Sequence, residues 1–250
     1  MTWGETLAVL AAGLGSGIVV STVGVASLIS FPVLLAIGLP PVVANASNTV
    51  GLAPAGLSGS FGYREELREH PRVTLAVLGT CSIGAVAGAA LLLTMPPGVF
   101  EAVVPWLILL ACLAVGGQPL LARWLDRQRD DSPDKVLTPA TAAWSTLTGV
   151  YAGYFGAGAG VMMIAVMAIG LDLDLRLATA LKTLSILVCS VVAGIVFVVA
   201  GELDWHVIGL LWSGGVVGGY VGARVGRRLP ETLLRVLVVI SGVVAFVSLV

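Results

Sequence analysis

Charge is scarce in this chain: Asp, Glu, Lys and Arg together make up 11% of its 250 residues. A water-soluble domain carries about 25% charged residues, so a soluble fold is excluded at the outset. Histidine is scarcer still. His70 and His206 both sit at the edges of apolar runs, which leaves an intramembrane protease without a buried base. The three cysteines, Cys81, Cys112 and Cys189, fall inside apolar runs with no C-x-x-C spacing and no His neighbour; they read as small core residues rather than metal ligands or a disulfide framework. No G-x-x-x-x-G-K-[ST] occurs, so this chain alone has no means of hydrolysing ATP. The absence of a basic patch excludes nucleic acid as a partner. A basic n-region with a small-residue cleavage site is also missing, so the N-terminus is expected to open the first membrane segment directly. Neither an enzymatic activity nor a cofactor is expected.

What the chain does have is apolar sequence. Hydrophobic residues make up 58% and the mean hydropathy is +1.03. A helical crossing needs roughly 20 consecutive apolar residues, whereas barrel strands would show alternating segments of about 10. The runs here are continuous in Leu, Val, Ala, Gly and Ile, so the expected class is an all-α polytopic protein, multi-pass in the bacterial cytoplasmic (inner) membrane. Eight apolar segments can be marked, at about 5–38, 43–62, 73–94, 99–122, 138–170, 178–200, 206–226 and 232–250. The first and fifth are too long for one crossing and carry Gly-rich or Pro-containing interruptions. A broken or hairpin helix fits each of them, giving up to 10 helices in all.

Lys and Arg in short loops set the orientation. Arg64, Arg68 and Arg72 mark one loop, Arg123, Arg127, Arg129 and Lys135 a second, and Arg224, Arg227 and Arg228 a third; these are expected on the cytoplasmic side. The loops around 94–98 and 201–204 carry neither residue and are placed outside. An internal repeat follows. Ala44-Asn45-Ala46-Ser47-Asn48-Thr49 matches Ala178-Thr179-Ala180-Leu181-Lys182-Thr183 as A-x-A-x-x-T at an offset of 134. Each copy follows a long Gly-rich run ending in Ile-Gly-Leu, at Ile37–Leu39 and Ile169–Leu171, and Gly84-x-x-x-Gly88 is expected to answer Gly215-x-x-x-Gly219. The chain thus divides into a first membrane repeat (1–122), a cytoplasmic linker (123–137) and a second membrane repeat (138–250). The charge rule starts the first repeat outside and the second inside. These are inverted-topology repeats, each a broken helix followed by three transmembrane helices, with the site expected at the midplane between them.

Two motifs carry the candidate chemistry. Gly13-Leu14-Gly15-Ser16-Gly17 leads through Gly24 to Phe31-Pro32, and Gly149 to Gly153 lead into Gly156, Gly158 and Gly160. Glycine lets a helix break and aim free N–H groups at an anion; the alternative is that these glycines only pack helices closely. Asn45, Asn48 and Thr49 share one helical face, and the repeat carries them onto Thr179, Lys182 and Thr183. Lys182 is the one charge lying clearly inside an apolar run, a functional hypothesis in its own right, against the alternative that it snorkels to the interface. The asparagines could equally join helix to helix. No Asp or Glu occupies the centre of any run; Glu5, Glu101, Glu202 and Asp204 lie near ends. A cation path or carboxylate relay therefore has no support, and an anion path is left. Tyr151, Tyr154, Phe155, Met162 and Met163 are expected in ordinary packing, though they could line a pocket.

These motifs, in their order and duplication, resemble the sulfite exporter TauE/SafE family, also called the toluene sulfonate uptake permeases. The resemblance rests on the first Gly-rich run through Phe31-Pro32, on Gly38-Leu39-Pro40-Pro41, on the Ala44–Thr49 segment and on the second copy at Gly153–Gly160, and it spans essentially the whole chain. It implies transport of sulfite, thiosulfate or organosulfonates. The expected partners are then a small sulfur-containing anion and the lipid bilayer, with a homodimer as candidate assembly. The substrate site is expected at Asn45, Asn48, Thr49, Thr179, Lys182, Thr183, Gly24, Gly156 and Gly158. A non-transporting scaffold or accessory subunit, or a passive anion channel, are the competing readings.

Overall fold

The structure is a computed structural model describing residues 1–22, 25–61, 71–127, 138–170, 175–225 and 231–249. Among these residues ten helices and no strand occur: α1 (Trp3–Thr22), α2 (Ser27–Ala36), α3 (Pro41–Phe61), α4 (Pro71–Thr94), α5 (Pro97–Arg127), α6 (Pro139–Tyr154), α7 (Ala159–Gly170), α8 (Leu175–Ala200), α9 (Trp205–Val225) and α10 (Glu231–Leu249). Pro41, Pro71, Pro97 and Pro139 each open a helix, where a missing N–H costs nothing and the fixed φ is already helical. Thr138 caps α6 by accepting from the Thr141 N–H at 3.2 Å. Helices α1, α4, α5 and α8 contain windows long and apolar enough to cross a bilayer. Their outer faces carry exposed Leu7, Leu75, Ile83, Leu113, Ile195 and Val199, a belt that water would not tolerate and lipid does. The protein is an all-α polytopic membrane protein.

Both long runs are broken. Helices α1 and α2 run antiparallel: Ser16 Oγ donates to the Ala26 carbonyl at 3.0 Å, and Gly15 faces Ile29. At its far end α2 stops at Gly38, whose φ of +88° is open to glycine and lets the Leu39 N–H reach back to the Leu34 carbonyl at 3.2 Å. The second run breaks at 155–158, where Gly156 and Gly158 have φ of +81° and +77°. A side chain at Gly158 would also press on Ala111 of α5. At 10 and 12 residues, α2 and α7 span about 15–18 Å, half the thickness of a bilayer core.

Contact registers give the helix directions. Leu10, Leu14 and Ile18 of α1 meet Gly214, Gly218 and Gly222 of α9 in ascending order, so these helices are parallel; Thr146 and Val150 of α6 likewise meet Gly84 and Gly88 of α4. Helix α3 is parallel to α9, with Ser47 against Asp204 and Gly51 against Leu211. Helix α8 is parallel to α4, with Cys189 against Cys81 and Gly201 against Leu93. By contrast α3 and α8 are antiparallel, Gly56 meeting Leu187 and Val50 meeting Gly194. So are α5 and α10, where Cys112 lies by Val239 and Trp106 meets Phe246 edge to face. The first five helices and the last five therefore make the same set of neighbours: α1 on α9 as α6 on α4, α3 on α9 as α8 on α4, α2 on α10 as α7 on α5. Helices in equivalent places point in opposite senses. The glycines of α9 that meet α1 are Gly214, Gly218 and Gly222; Gly218 and Gly222 stand 134 residues after Gly84 and Gly88, so they, rather than Gly215 and Gly219, hold the equivalent places.

Candidate functional site

Helices α3 and α8 cross near the centre of the molecule, and beside their crossing lie the starts of both half-length helices. These elements enclose a cavity of about 200 Å³, below the roughly 300–1,000 Å³ of sites that hold drug-sized ligands. Its wall repeats across the two halves. Asn48, Thr49, Leu52, Ala53 and Gly56 of α3 line it, and so do Lys182, Thr183, Ile186, Leu187 and Ser190 of α8, which are the same positions displaced by 134 residues. Val25, Ala26 and Ser27 at the start of α2 face it, with Phe155, Gly156, Ala157 and Gly160 at the second break.

Of the residues expected at the site, Asn48, Thr49, Thr179, Lys182, Thr183 and Gly156 are on this wall. Gly158 is not; it shapes the break and packs on α5. Gly24 lies outside the described residues, as do most of the basic loop residues and the linker from 128 onward. Asn45 is buried behind the wall: its Nδ2 donates to the Tyr154 carbonyl at 2.9 Å, and its Oδ1 has no hydrogen-bond partner. Tyr151, Tyr154 and Met162 line a different hollow, apolar and of about 910 Å³, that opens beside the exposed Trp144 and Leu147. Met163 is buried in the core and Tyr151 donates its hydroxyl to the Ala157 carbonyl at 2.6 Å.

The polar groups on the wall divide by what they can still offer. Thr49 donates to the Asn45 carbonyl at 2.9 Å and Thr183 to the Thr179 carbonyl at 2.8 Å. Both hydroxyl protons are spent on the helix itself, so these side chains turn lone pairs toward the cavity. Asn48 is different. Ser30 Oγ donates to Asn48 Oδ1 at 2.5 Å, which leaves the amide N–H₂ for the cavity. Lys182 adds an ammonium on the opposite wall, and Ser27 and Ser190 add hydroxyls. The first turns of α2 and α7 begin at the wall; Ala26 before α2 offers no side-chain cap, while the Ala159 and Val161 N–H groups of α7 donate to the Gly156 and Gly158 carbonyls at 3.3 and 3.0 Å. The N-terminal end of a helix carries partial positive charge. No acidic residue lines the cavity among the described residues. The set favours an anion.

Sequence reasoning missed Ser30, Ser27 and Ser190. Ser190 was within reach, because the 134-residue offset carries Gly56 onto it; Ser30 gave no signal, since its partner is on another helix.

Known proteins agree in kind. The family described as sulfite exporter TauE/SafE matches residues 9–249. A probable membrane transporter protein of Haemophilus influenzae is 25% identical over 220 residues, covering 88% of this chain and 84% of its own. A probable membrane transporter protein, ORF9, of a Sinorhizobium species is 26% identical over 237 residues, covering 94% and 88%. No solved structure matches.

Proposed function

This chain belongs to the sulfite exporter TauE/SafE family, and on that premise we propose that it is a secondary transporter that carries a small sulfur-containing anion across the bacterial inner membrane. The chemistry of sulfite, thiosulfate and small organosulfonates suits the site: each has several acceptor oxygens and a charge that an ammonium, an amide N–H₂ and helix N-termini can share. The observation that carries the reading is the cavity between the two breaks, with Lys182 on one wall and Asn48 on the other. Lys182 supplies the charge; Asn48, Ser27 and Ser190 supply directional hydrogen bonds. The relatives named as probable membrane transporters support transport rather than catalysis.

Alternating access is the mechanism, and inverted repeats are its structural basis. The opposite sense of equivalent helices and the paired walls of the cavity support this division into repeats at 1–122 and 138–250. In such an arrangement two near-equivalent conformations expose one site to either side in turn. The test is uptake of radiolabelled sulfite or methanesulfonate into proteoliposomes, with saturation and counterflow. A carrier gives both; a passive channel gives neither saturation at low concentration nor counterflow, and a scaffold gives no flux, either result rejecting the proposal.

A further inference from the structure

Resting on the transport reading, we propose that the bodies which move are not the two sequence repeats but two chain-exchanged bundles, α1–α3–α9 and α6–α8–α4, and that Asn45 is the latch between them. The case begins with how closely each helix pair approaches. Between α1 and α9 the backbones touch: a Cβ added at Gly17 or Gly218 falls on the partner's main chain, and the same holds for Gly88 and Gly153 between α4 and α6. Small residues at such a face allow main-chain packing without intervening side chains. At these points main chain meets main chain, so no rotamer change there can accommodate sliding.

Each of these pairs joins one helix from either repeat, so moving the repeats apart would tear both. The third helix of each bundle is also tied inward. Trp212 Nε1 of α9 donates to the Val50 carbonyl of α3 at 2.9 Å, and the Asp204 N–H to Ser47 Oγ at 3.0 Å. Cys189 of α8 lies on the Cys81 carbonyl of α4 at 3.6 Å.

Between the bundles the contact is of another kind. Where α3 crosses α8, a Cβ at Gly56 would meet Leu187 Cδ1 at 3.4 Å and one at Gly194 would meet Val50 Cγ2 at 3.5 Å, ordinary contacts with side chains that can turn. The cavity interrupts this same interface. Packed surfaces with rotatable side chains can hold two arrangements where locked backbones cannot. A polar bond spans the bundles at the level of the break, from Asn45 Nδ2 of α3 to the Tyr154 carbonyl at the end of α6. That bond holds the two bundles in the arrangement seen here, so losing it shifts which conformation the empty protein prefers.

Pairs of spin labels, attached through maleimide to engineered cysteines in the full-length protein, separate the two descriptions. The native thiols are 0%, 4% and 1% exposed and stay unlabelled. Leu7 on α1 and Val216 on α9 belong to different repeats but one bundle; Leu7 and Leu75 on α4 belong to one repeat but different bundles. All three side chains are exposed. Adding methanesulfonate, or introducing Asn45→Ala without any anion, should shift or split the Leu7–Leu75 distance by about 2 Å or more and leave Leu7–Val216 unchanged, while Asn45→Ala leaves the anion's dissociation constant within twofold of wild type. The opposite pattern of distances, or no movement under either perturbation, overturns the proposal, and a tenfold loss of affinity on Asn45→Ala returns Asn45 to the binding site. Movement caused by Asn45→Ala together with silence toward methanesulfonate, sulfite and thiosulfate would reject the substrate assignment while leaving the bundles standing.

Discussion

The wall contributed by α3 and the wall contributed by α8 have the same shape and different chemistry. Position for position, Thr49 and Thr183 make the same bond to their own helix, and Leu52 answers Ile186. Yet where α3 presents the Asn48 amide, α8 presents the Lys182 ammonium. A duplicated framework alone would build a neutral, two-faced cavity. Among the described lining residues, the difference at this equivalent position adds one positively charged side chain, Lys182, which suits a small anion.

The difference can be broken from either wall. Replacing Asn48 with Asp keeps an acceptor for Ser30 but sets a carboxylate on the wall facing Lys182; anion affinity should drop by the largest factor, more than about 100-fold, read by calorimetric titration. The exchange Asn48→Lys with Lys182→Asn moves the charge to the other wall. Affinity should return to within roughly tenfold of wild type, since one charge-assisted bond of about 1.5–3 kcal/mol is conserved overall. Ser30→Ala frees the Asn48 amide to turn. That removes one positioning hydrogen bond of about 0.5–1.5 kcal/mol, so binding weakens roughly 2- to 10-fold, with rescue by Ser30→Thr. Smallest of all, Thr49→Val and Thr183→Val delete hydroxyls whose protons are already committed to the helix. Each should change affinity less than about twofold, and a larger loss would show that these hydroxyls turn toward the ligand.

Much of this was legible in the sequence, for a definable reason. The A-x-A-x-x-T repeat fixes which residues share a helical face, and a face is a property of one helix. Hence Asn48, Thr49, Lys182 and Thr183 were found together, and the Gly-rich runs were read as broken. Partners on other helices were not legible. Asn45 is one turn before Thr49 and looks equivalent to it, yet its amide turns behind the wall to Tyr154. Nothing in spacing announces that α1 packs on α9 rather than on a helix of its own repeat. The pairing of Gly84 and Gly88 with Gly218 and Gly222, rather than with Gly215 and Gly219, has the same origin: glycine-rich helices offer several alignments, and only the close approach of two backbones selects among them.

Titrating purified protein with thiosulfate or methanesulfonate tests directly whether Lys182 holds an anion between the two breaks. Wild type should bind one anion per chain, and Lys182→Ala, with an unchanged thermal midpoint in the absence of ligand, should bind roughly 10- to 150-fold more weakly. Equal affinity in the two proteins would contradict it.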